Sequence, residues 1–380
     1  MKSSLKSTVS DPVANPVSKR WVRLAGMAAV AAAVLNLAAC AAEAQTTKKP
    51  RTSSAASDEA PDVVTYGRRD DVVQFAAEVA ARRNLDPTWT RDALAQARYI
   101  PSVARYIMPP AVGTAKNWAA YRSRFVEPIR LRAGAEFWRN NADWLQKAEA
   151  RYGVPPEIVV GIIGVETLWG QQMGNFRVID ALATLAFDFP TGRKDRAPFF
   201  KDELEALLVL SQVQGIDPTS LKGSYAGAMG MPQFMPSSWN KYAVDFDGDG
   251  HIDLRNNVAD VIGSVAHYLA EFGWIRGAPT RFAVTVPADT TNRAMLLVPD
   301  ILPTFSAQDF IDKGAALDSS GAAYPGKLAL VELQNGNAAN SYVAGTENFY
   351  AVTRYNWSSY YALAVIELGE SIKTIVTMSP

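Results

Sequence analysis

The sequence predicts a mainly α protein of the α+β class: a helical core interrupted by a small β-rich insertion. Two observations carry this. Apolar residues recur at helical spacing from Asp70 to about Phe272, and again from Asn356 to Ile375. Between them lie three short, β-branched or alternating segments bounded by Gly, Pro and Asn: Phe282 to Val286, Ala329 to Leu333 and Ser341 to Ala344. The 380 residues suffice for two or three domains, and a content of 48% hydrophobic, 20% charged and 10% aromatic residues is that of a globular chain.

The first forty residues read as an address. Lys2, Lys6, Lys19, Arg20 and Arg23 stand against Asp11, and an apolar run from Leu24 to Leu37 follows, ending at Cys40, the only cysteine. A basic start, a short apolar stretch and small residues make a secretory leader, too short for a comfortable membrane span of about 20 residues. Leu37-Ala38-Ala39-Cys40 resembles a bacterial lipobox, in which the thiol receives a diacylglycerol. The alternatives are a buried core cysteine or an unprocessed anchor helix. Ala41 and Ala42 after the cysteine fit, by analogy with known lipoproteins, the periplasmic face of the outer membrane of a Gram-negative bacterium. Taking 5 of the 38 basic and 1 of the 38 acidic residues away leaves 33 against 37, so the zero formal charge hides a mildly acidic body. Nothing in that balance favours nucleic acid. Residues 41–65 are rich in Ala, Thr, Ser, Lys and Pro and cannot bury enough surface to order themselves, which predicts a tether.

From Asp70, the residues Val72, Val73, Phe75, Ala76 and Val79 share one side of a helix that should end near Asn84. Asp86-Pro87 opens a second, and Pro101, Pro109 and Pro110 break the chain. Arg122 to Tyr152 reads as a helix pair with Phe125, Ile129, Leu131, Phe137, Trp138, Trp144 and Leu145 as core. Pro155 and Pro156 suit the first turn of the next helix, where a missing N–H costs little. That helix is apolar nearly all round, and near its end sits one carboxylate, Glu166, followed by Thr167-Leu168-Trp169. Apolar surroundings disfavour ionisation and raise a carboxyl pKa, which is what a general acid near neutrality requires. The competing reading is a helix-end Glu turned towards water. Val178 to Phe187, Phe199 to Gln214 and Val258 to Phe272 complete the core helices.

Two further stretches have chemical content. Ser224 to Trp239, SYAGAMGMPQFMPSSW, combines small residues, which admit close backbone approach, with Gln233 as donor and acceptor and Met and Phe as apolar surface. Such a surface suits a carbohydrate, although a Gly-rich turn capped by Ser237 or Ser238 explains it equally. Asp245-Phe246-Asp247-Gly248-Asp249-Gly250-His251 places oxygens at positions 1, 3 and 5, Gly at 6 and a carbonyl at 7, as in an EF-hand calcium loop. Position 12 is Asn256 rather than Glu, so Asp260 on the following helix is the candidate to close the site. The alternative is an Asp/Gly turn without an ion. No GxSxG, HExxH, Walker loop or dinucleotide fingerprint occurs, and the two histidines belong to the acidic loop and a helix. No organic cofactor is expected; a structural calcium ion is.

GVETLWG, GAMGMPQFMPSSW, DFDGDGHIDL and NFYAVTRYNWSSYYALAV occur here in one order, and together they resemble the membrane-bound lytic transglycosylase B family. The similarity runs from about Gly67 to Ile375. It implies a lysozyme-like helical core flanked by a helical domain and a small β domain. It also implies cleavage of peptidoglycan between N-acetylmuramic acid and N-acetylglucosamine, leaving a 1,6-anhydromuramoyl end. On that resemblance Glu166 is the catalytic acid, and Tyr121, Ser224, Gln233, Tyr268, Tyr355, Asn356 and Tyr361 line the saccharide groove. Thr191 to Arg196 departs from the family's shorter basic loop, and Arg196 is its candidate contact for muropeptide carboxylates. Asp245, Asp247, Asp249, His251 and Asp260 are the candidate metal ligands, and Cys40 is the lipidation site. The division that follows is a leader at 1–40, a tether at 41–65, a helical domain at 66–148, the catalytic core at 149–280 and 346–380, and a β-rich domain at 281–345. Expected partners are glycan strands, the membrane through Cys40 and other cell-wall enzymes, around a monomer.

The single convincing carboxylate fits such a lyase, in which the C6 hydroxyl of the same sugar replaces water. A water-using muramidase with Asp180 or Asp188 as second carboxylate, a non-catalytic glycan-binding scaffold and a calcium sensor are the other readings.

Overall fold

A computed structural model gives the fold, and its described residues are 64–109 and 116–378. The leader, Cys40 and the tether up to residue 63 lie outside the described residues. Thr65 bridges Arg98, and the Val64 carbonyl accepts from Tyr99 N–H at 3.0 Å. No helix among the described residues is long and apolar enough to cross a membrane.

The Asp70–Arg83 helix opens on Asp70 and Asp71, closes on Arg82 and Arg83, and stops at Asn84 with φ 55°. The charges complement the helix dipole, and Asn tolerates the left-handed turn that ends it. Val72, Phe75, Ala76 and Val79 are buried, but Val73 is 42% exposed. It stands one residue, about 100°, off the buried stripe. Asp86 caps Pro87–Ala95 by accepting from Trp89 N–H at 2.7 Å. The expected helix pair resolves into Trp118–Arg122, Pro128–Asn140 and Ala142–Tyr152. Ile129 is exposed rather than core, because the packed face of Pro128–Asn140 carries Leu131, Gly134, Ala135 and Trp138 and Ile129 lies on the other side of the helix. Val213, at the end of Ala197–Gln214, is likewise exposed.

These early helices share one apolar core with the later ones, running from Tyr66 to Ile372. Three polar ties seal the joint. Asp188 accepts from Tyr66 Oη at 2.6 Å and from Arg69 at 2.8 Å. Asp180 accepts from Arg98 N–H at 3.0 Å, and Glu205 is paired with both Arg82 and Arg83.

At the centre, Pro156–Thr167 is buried from Ile158 to Val165. It lies against the last helix, Ser359–Met378, at two glycines. A Cβ on Gly161 would overlap the Val365 carbonyl oxygen, and one on Gly369 the Glu157 carbonyl oxygen. Lys373 adds an ion pair to Glu157 at 2.8 Å. The helix expected from Asn356 begins at Ser359; a separate helix, Glu347–Thr353, precedes it, and Asn356 lies in the turn between. The helix after the Gly-rich stretch is Pro236–Tyr242, and neither Ser237 nor Ser238 is its N-cap. Glu203, from a different helix, accepts from Ser237 N–H at 2.9 Å and Ser237 Oγ at 2.6 Å and does that work instead.

The β-rich segment forms a four-stranded antiparallel sheet in the order Ala316–Leu317, Arg281–Thr285, Ala338–Gly345, Ala329–Asn335. Three short helices that the sequence pattern did not reveal, Thr290–Leu297, Ala307–Asp312 and Ser319–Ala322, accompany it. Each is started by a side-chain cap, from Asp289, Ser306 and Asp318. They surround a second, small core built on Phe282, Leu296, Phe310, Leu328 and Leu330.

Candidate active site

Glu166 is the penultimate residue of the central helix, and the backbone beyond it turns sharply. Leu168 and Trp169 both have φ 52° and Gly170 has φ 91°. Two non-glycine residues in the left-handed region are strained, so surrounding contacts must hold them. Trp169 Nε1 donates back to the Val160 carbonyl at 3.1 Å, and its indole covers Gly134 and Gly164. Thr167 Oγ1 donates to the Met231 carbonyl at 2.7 Å and accepts from Gly170 N–H at 3.0 Å. Arg130 donates to the Gly164 carbonyl at 2.7 Å. The acid is thereby fixed to the Gly-rich stretch and to Pro128–Asn140.

That stretch is a folded loop rather than a free turn. Met229 and Phe234 exchange backbone hydrogen bonds at 2.8 and 3.0 Å, and Ser224 Oγ accepts from Ala228 N–H at 3.1 Å and Ala226 N–H at 3.3 Å. Gln233, at φ 51°, donates through Nε2 to the carbonyls of Gly230 at 2.9 Å and Met173 at 3.2 Å. Met229 and Phe234 are buried in the core, so the apolar surface expected of them faces protein; Met231 and Met235 are the half-buried ones. Gly230 (φ 72°) brings the loop against the Leu254 carbonyl with no room for a side chain.

Four tyrosines surround the carboxyl. Tyr361 Oη donates to Glu166 Oε1 at 2.6 Å. Its ring lies parallel to that of Tyr355, 6.2 Å away at 12°. Tyr355 donates to the Pro232 carbonyl and meets Tyr268 at 4.9 Å, while Tyr268 Oη donates to the Arg354 carbonyl at 2.9 Å. Tyr268 thus acts from behind Tyr355, with its hydroxyl committed to backbone. Tyr121 stands on the short Trp118–Arg122 helix, stacked on Trp118 at 6.3 Å and met edge-on by Tyr360 at 5.9 Å. All four phenols are pushed above their ordinary pKa, by burial first, and the Glu166 charge adds to each. They therefore stay protonated, as neutral donors.

Burial raises the Glu166 pKa from 4.5 to about 7, against the opposing hydrogen bond from Tyr361. No second carboxylate contributes to that shift. Asp180 and Asp188, the candidates for a water-activating base, are engaged in the helix joints described above; Arg177 also faces Asp180 at 3.4 Å. Asn356 is buried in the turn beside Tyr355. Arg196 starts the Ala197–Gln214 helix, its guanidinium 4.9 Å from the Phe199 ring centre and 5.8 Å from that of Phe200. Burial lowers its pKa, with the Arg193 charge adding. Trp118 and Tyr360 are not singled out by the sequence, and Thr167 is named there only as the residue after Glu166; Tyr360 adjoins Tyr361, but nothing in the sequence says that it faces Tyr121.

In the acidic loop, carboxylate oxygens of Asp245, Asp247 and Asp249 lie within 4.8 Å of one another. Asp245 accepts from the N–H groups of Gly248, Asp249 and Gly250, and Asp249 accepts from His251 N–H at 2.8 Å. Asp260 is not part of this cluster. It is fully buried, and its two oxygens accept from Phe246 N–H and Asp253 N–H, each at 2.8 Å. It pins the loop to the Val258–Glu271 helix.

The Glu166 shift has a thermodynamic consequence. Between pH 4.5 and about 7 the folded protein keeps a proton that the unfolded chain has lost, so this group makes stability fall as pH rises through that window. Glu166→Gln cannot ionise, yet its amide oxygen can still accept from Tyr361. Its Tm should exceed wild type at pH 8, by an amount worth up to about 3 kcal/mol, and the gain should vanish near pH 4. Thermal melts at both pH values check this; a pH-independent difference would mean the carboxyl is not perturbed.

The family described as Transglycosylase SLT domain matches residues 67–370. The chain is 38% identical over 318 residues to membrane-bound lytic murein transglycosylase B of Escherichia coli (strain K12), a match that spans 81% of this chain and 84% of that protein. The fold is similar to the crystal structure of the Escherichia coli lytic transglycosylase Slt35 in complex with calcium, with a TM-score of 0.72 at 38% identity over 82% of this chain and 95% of that one. It is also similar to SltB3 from Pseudomonas aeruginosa in complex with NAG-anhNAM-pentapeptide, with a TM-score of 0.68 at 31% identity over 80% and 79% of the two chains. The matched span holds Glu166, the tyrosines around it and the acidic loop, and the chain belongs to the transglycosylase SLT-domain family.

Proposed function

We propose that Glu166 is the sole acid–base catalyst of this peptidoglycan lytic transglycosylase, and that its product carries a 1,6-anhydromuramic acid end. The lytic transglycosylase activity itself comes with the family. One observation supports the finer reading: a single part-buried carboxyl, raised to about 7, is enclosed by neutral phenols with no second carboxylate acting on it. Tyr361 engages Oε1, so Oε2 is the oxygen that hands its proton to the leaving O4 as the C1–O4 bond breaks. The C6 hydroxyl of the same muramic acid then attacks C1, and its proton returns to Glu166. Intramolecular attack needs no carboxylate to position water. The phenols exclude water and leave the glycan's ring faces an aromatic wall. Ser224, Gln233 and Asn356 are read as saccharide contacts around it, and Arg196 as a contact for stem carboxylates. The enzyme is expected to be a monomer; partnership with other cell-wall enzymes stays part of the proposal.

Asp245, Asp247 and Asp249, with the His251 carbonyl, have the donor set of a calcium site, and the three clustered carboxylates fit a divalent cation. Bound there, calcium would neutralise their mutual repulsion and stiffen the loop. Lipidation of Cys40 would hold the enzyme at the periplasmic face of the outer membrane, in keeping with the words membrane-bound in the name of the Escherichia coli relative. The 41–65 tether and the domain division set out above belong to the same proposal.

Glu166→Gln should lower glycan cleavage by about 10²–10⁴-fold, the usual contribution of such a group, while retaining saccharide binding. In ¹⁸O-water, wild-type digestion of purified peptidoglycan should give muropeptides one water lighter than hydrolysed ones and free of label. Reducing, labelled muramic ends would mean that water is the nucleophile. Calcium should raise the Tm of metal-free protein, since binding to the native state alone stabilises by about 2.7 kcal/mol at a hundredfold excess over the dissociation constant. Asp245→Ala should abolish that rise; equal melting curves in calcium and chelator would remove the ion from the proposal.

A further inference from the structure

The β-rich segment touches the aromatic wall of the groove through one turn. The turn joining Ala329–Asn335 to Ala338–Gly345 projects away from the module's own core and onto two elements that hold Tyr121. Gln334 N–H donates to Tyr360 Oη at 2.7 Å, and the Gln334 carbonyl accepts from the same hydroxyl at 3.1 Å. The Asn335 side-chain oxygen accepts from Ala119 N–H at 3.2 Å, and Gly336 N–H donates to the Lys116 carbonyl at 3.0 Å. Asn117 and Asn335 also form an isolated antiparallel bridge. The bonds to Ala119 and Lys116 span more than two hundred residues of sequence and clamp the start of the Trp118–Arg122 helix. A five-residue helix has no stability of its own and takes its position from such contacts. Tyr360, once held by Gln334, sets its ring edge-on to Tyr121 at 88° and to Trp118 at 78°.

We propose that Asn335 and Tyr360 are positioning residues: through them the hairpin turn of the β-rich insertion fixes Tyr121 against the groove, and so sets how tightly glycan is held on that side. The inference rests on the saccharide reading of the groove given above. It gives the insertion a part in substrate binding, distinct from the chemistry at Glu166. None of these turn residues contributes to the module's small core, so their removal leaves that core intact.

The probe is a soluble tetrasaccharide of alternating N-acetylglucosamine and N-acetylmuramic acid. Its Kd is measured calorimetrically on full-length protein carrying Glu166→Gln, and kcat and KM are measured on protein retaining Glu166. Tyr360→Phe keeps the ring and loses both bonds to Gln334; Asn335→Ala loses the acceptor for Ala119 together with the amide donor that serves the Ala339 carbonyl and Ser341 Oγ inside the turn. Loss of bonds of this kind should raise Kd and KM about three- to tenfold for Tyr360→Phe and Asn335→Ala, with kcat within about twofold. Neither change should weaken binding further in Tyr121→Ala. Folded variants with unchanged Kd and KM, a fall confined to kcat, or full multiplication of effects with Tyr121→Ala would overturn the proposal. Failure of the parent protein to bind the tetrasaccharide would overturn the groove reading and this inference together, whereas normal parent binding with unaffected variants overturns this inference alone.

Discussion

The site depends on how closely two helices approach. Pro156–Thr167 and Ser359–Met378 meet where Gly161 and Gly369 each face a carbonyl oxygen of the other helix. Alanine is the better helix former by about 1 kcal/mol, yet a methyl group at either place would have to push the helices apart, at about 1–3 kcal/mol or more. Contact wins over propensity. The approach carries Tyr361, one helical turn before Val365, onto Glu166, and a 2.6 Å hydrogen bond is the result. Because Gly161 shares a helix with Glu166 and Gly369 shares one with Tyr361, the close packing of the two helices bears directly on the distance between acid and phenol.

Two effects compete at the carboxyl, and their relative size decides the chemistry. A hydrogen bond to the charged form lowers a carboxylate's pKa, while desolvation raises it. With the outcome near 7, desolvation is the larger. The surrounding phenols cannot tip the balance further, because each is itself held neutral by burial. A group poised near 7 gives and takes a proton at comparable cost, which suits one residue that must act first as acid and then as base. A second nearby carboxylate would have pushed the two pKa values apart and divided those roles.

Much of this was legible in the sequence, and the failures have physical causes. Periodicity located the Asp70–Arg83, Val178–Phe187, Ala197–Gln214 and Val258–Glu271 helices to within a few residues, because each buries a continuous stripe. Glu166 stood out because it follows an unbroken apolar run, Ile158 to Val165, although a helix-end Glu turned towards water was the competing reading. What sequence could not convey was long-range partnership. Asp260 stands out by its charge, and the two backbone donors it holds, Phe246 N–H and Asp253 N–H, are not visible in the sequence. Ser237 has the look of a cap yet is itself held by Glu203. Ile129 is apolar and exposed because it lies on the side of its helix away from Leu131, Gly134, Ala135 and Trp138. The three helices of the β-rich segment are short and carry little periodic signal, so their side-chain caps, not their apolar pattern, define them.

The acidic loop shows how a clamp can matter without touching the reaction. Phe246, between Asp245 and Asp247, lies over Gly263 with its ring 6.2 Å from Tyr152 and 6.0 Å from Trp144. Tyr152 ends the helix that leads directly into Pro156–Thr167, and Trp274 donates to the Gly153 carbonyl at 2.8 Å at that same joint. The Asp245 carboxyl is held below its ordinary pKa chiefly by the loop's own N–H donors, whereas Asp260 is raised by burial first and then by the charges of Asp247 and Asp245. At Asp260, behind the loop, the charges of Asp247 and Asp245 repel a further carboxyl, and a cation in the loop would relieve that repulsion. Relief there would tighten Phe246 on Tyr152, and the start of the central helix would be held from a distance of about a dozen residues from Glu166. Since that helix is buried without a break from Ile158 to Val165, contacts that hold its start bear on the place of its end.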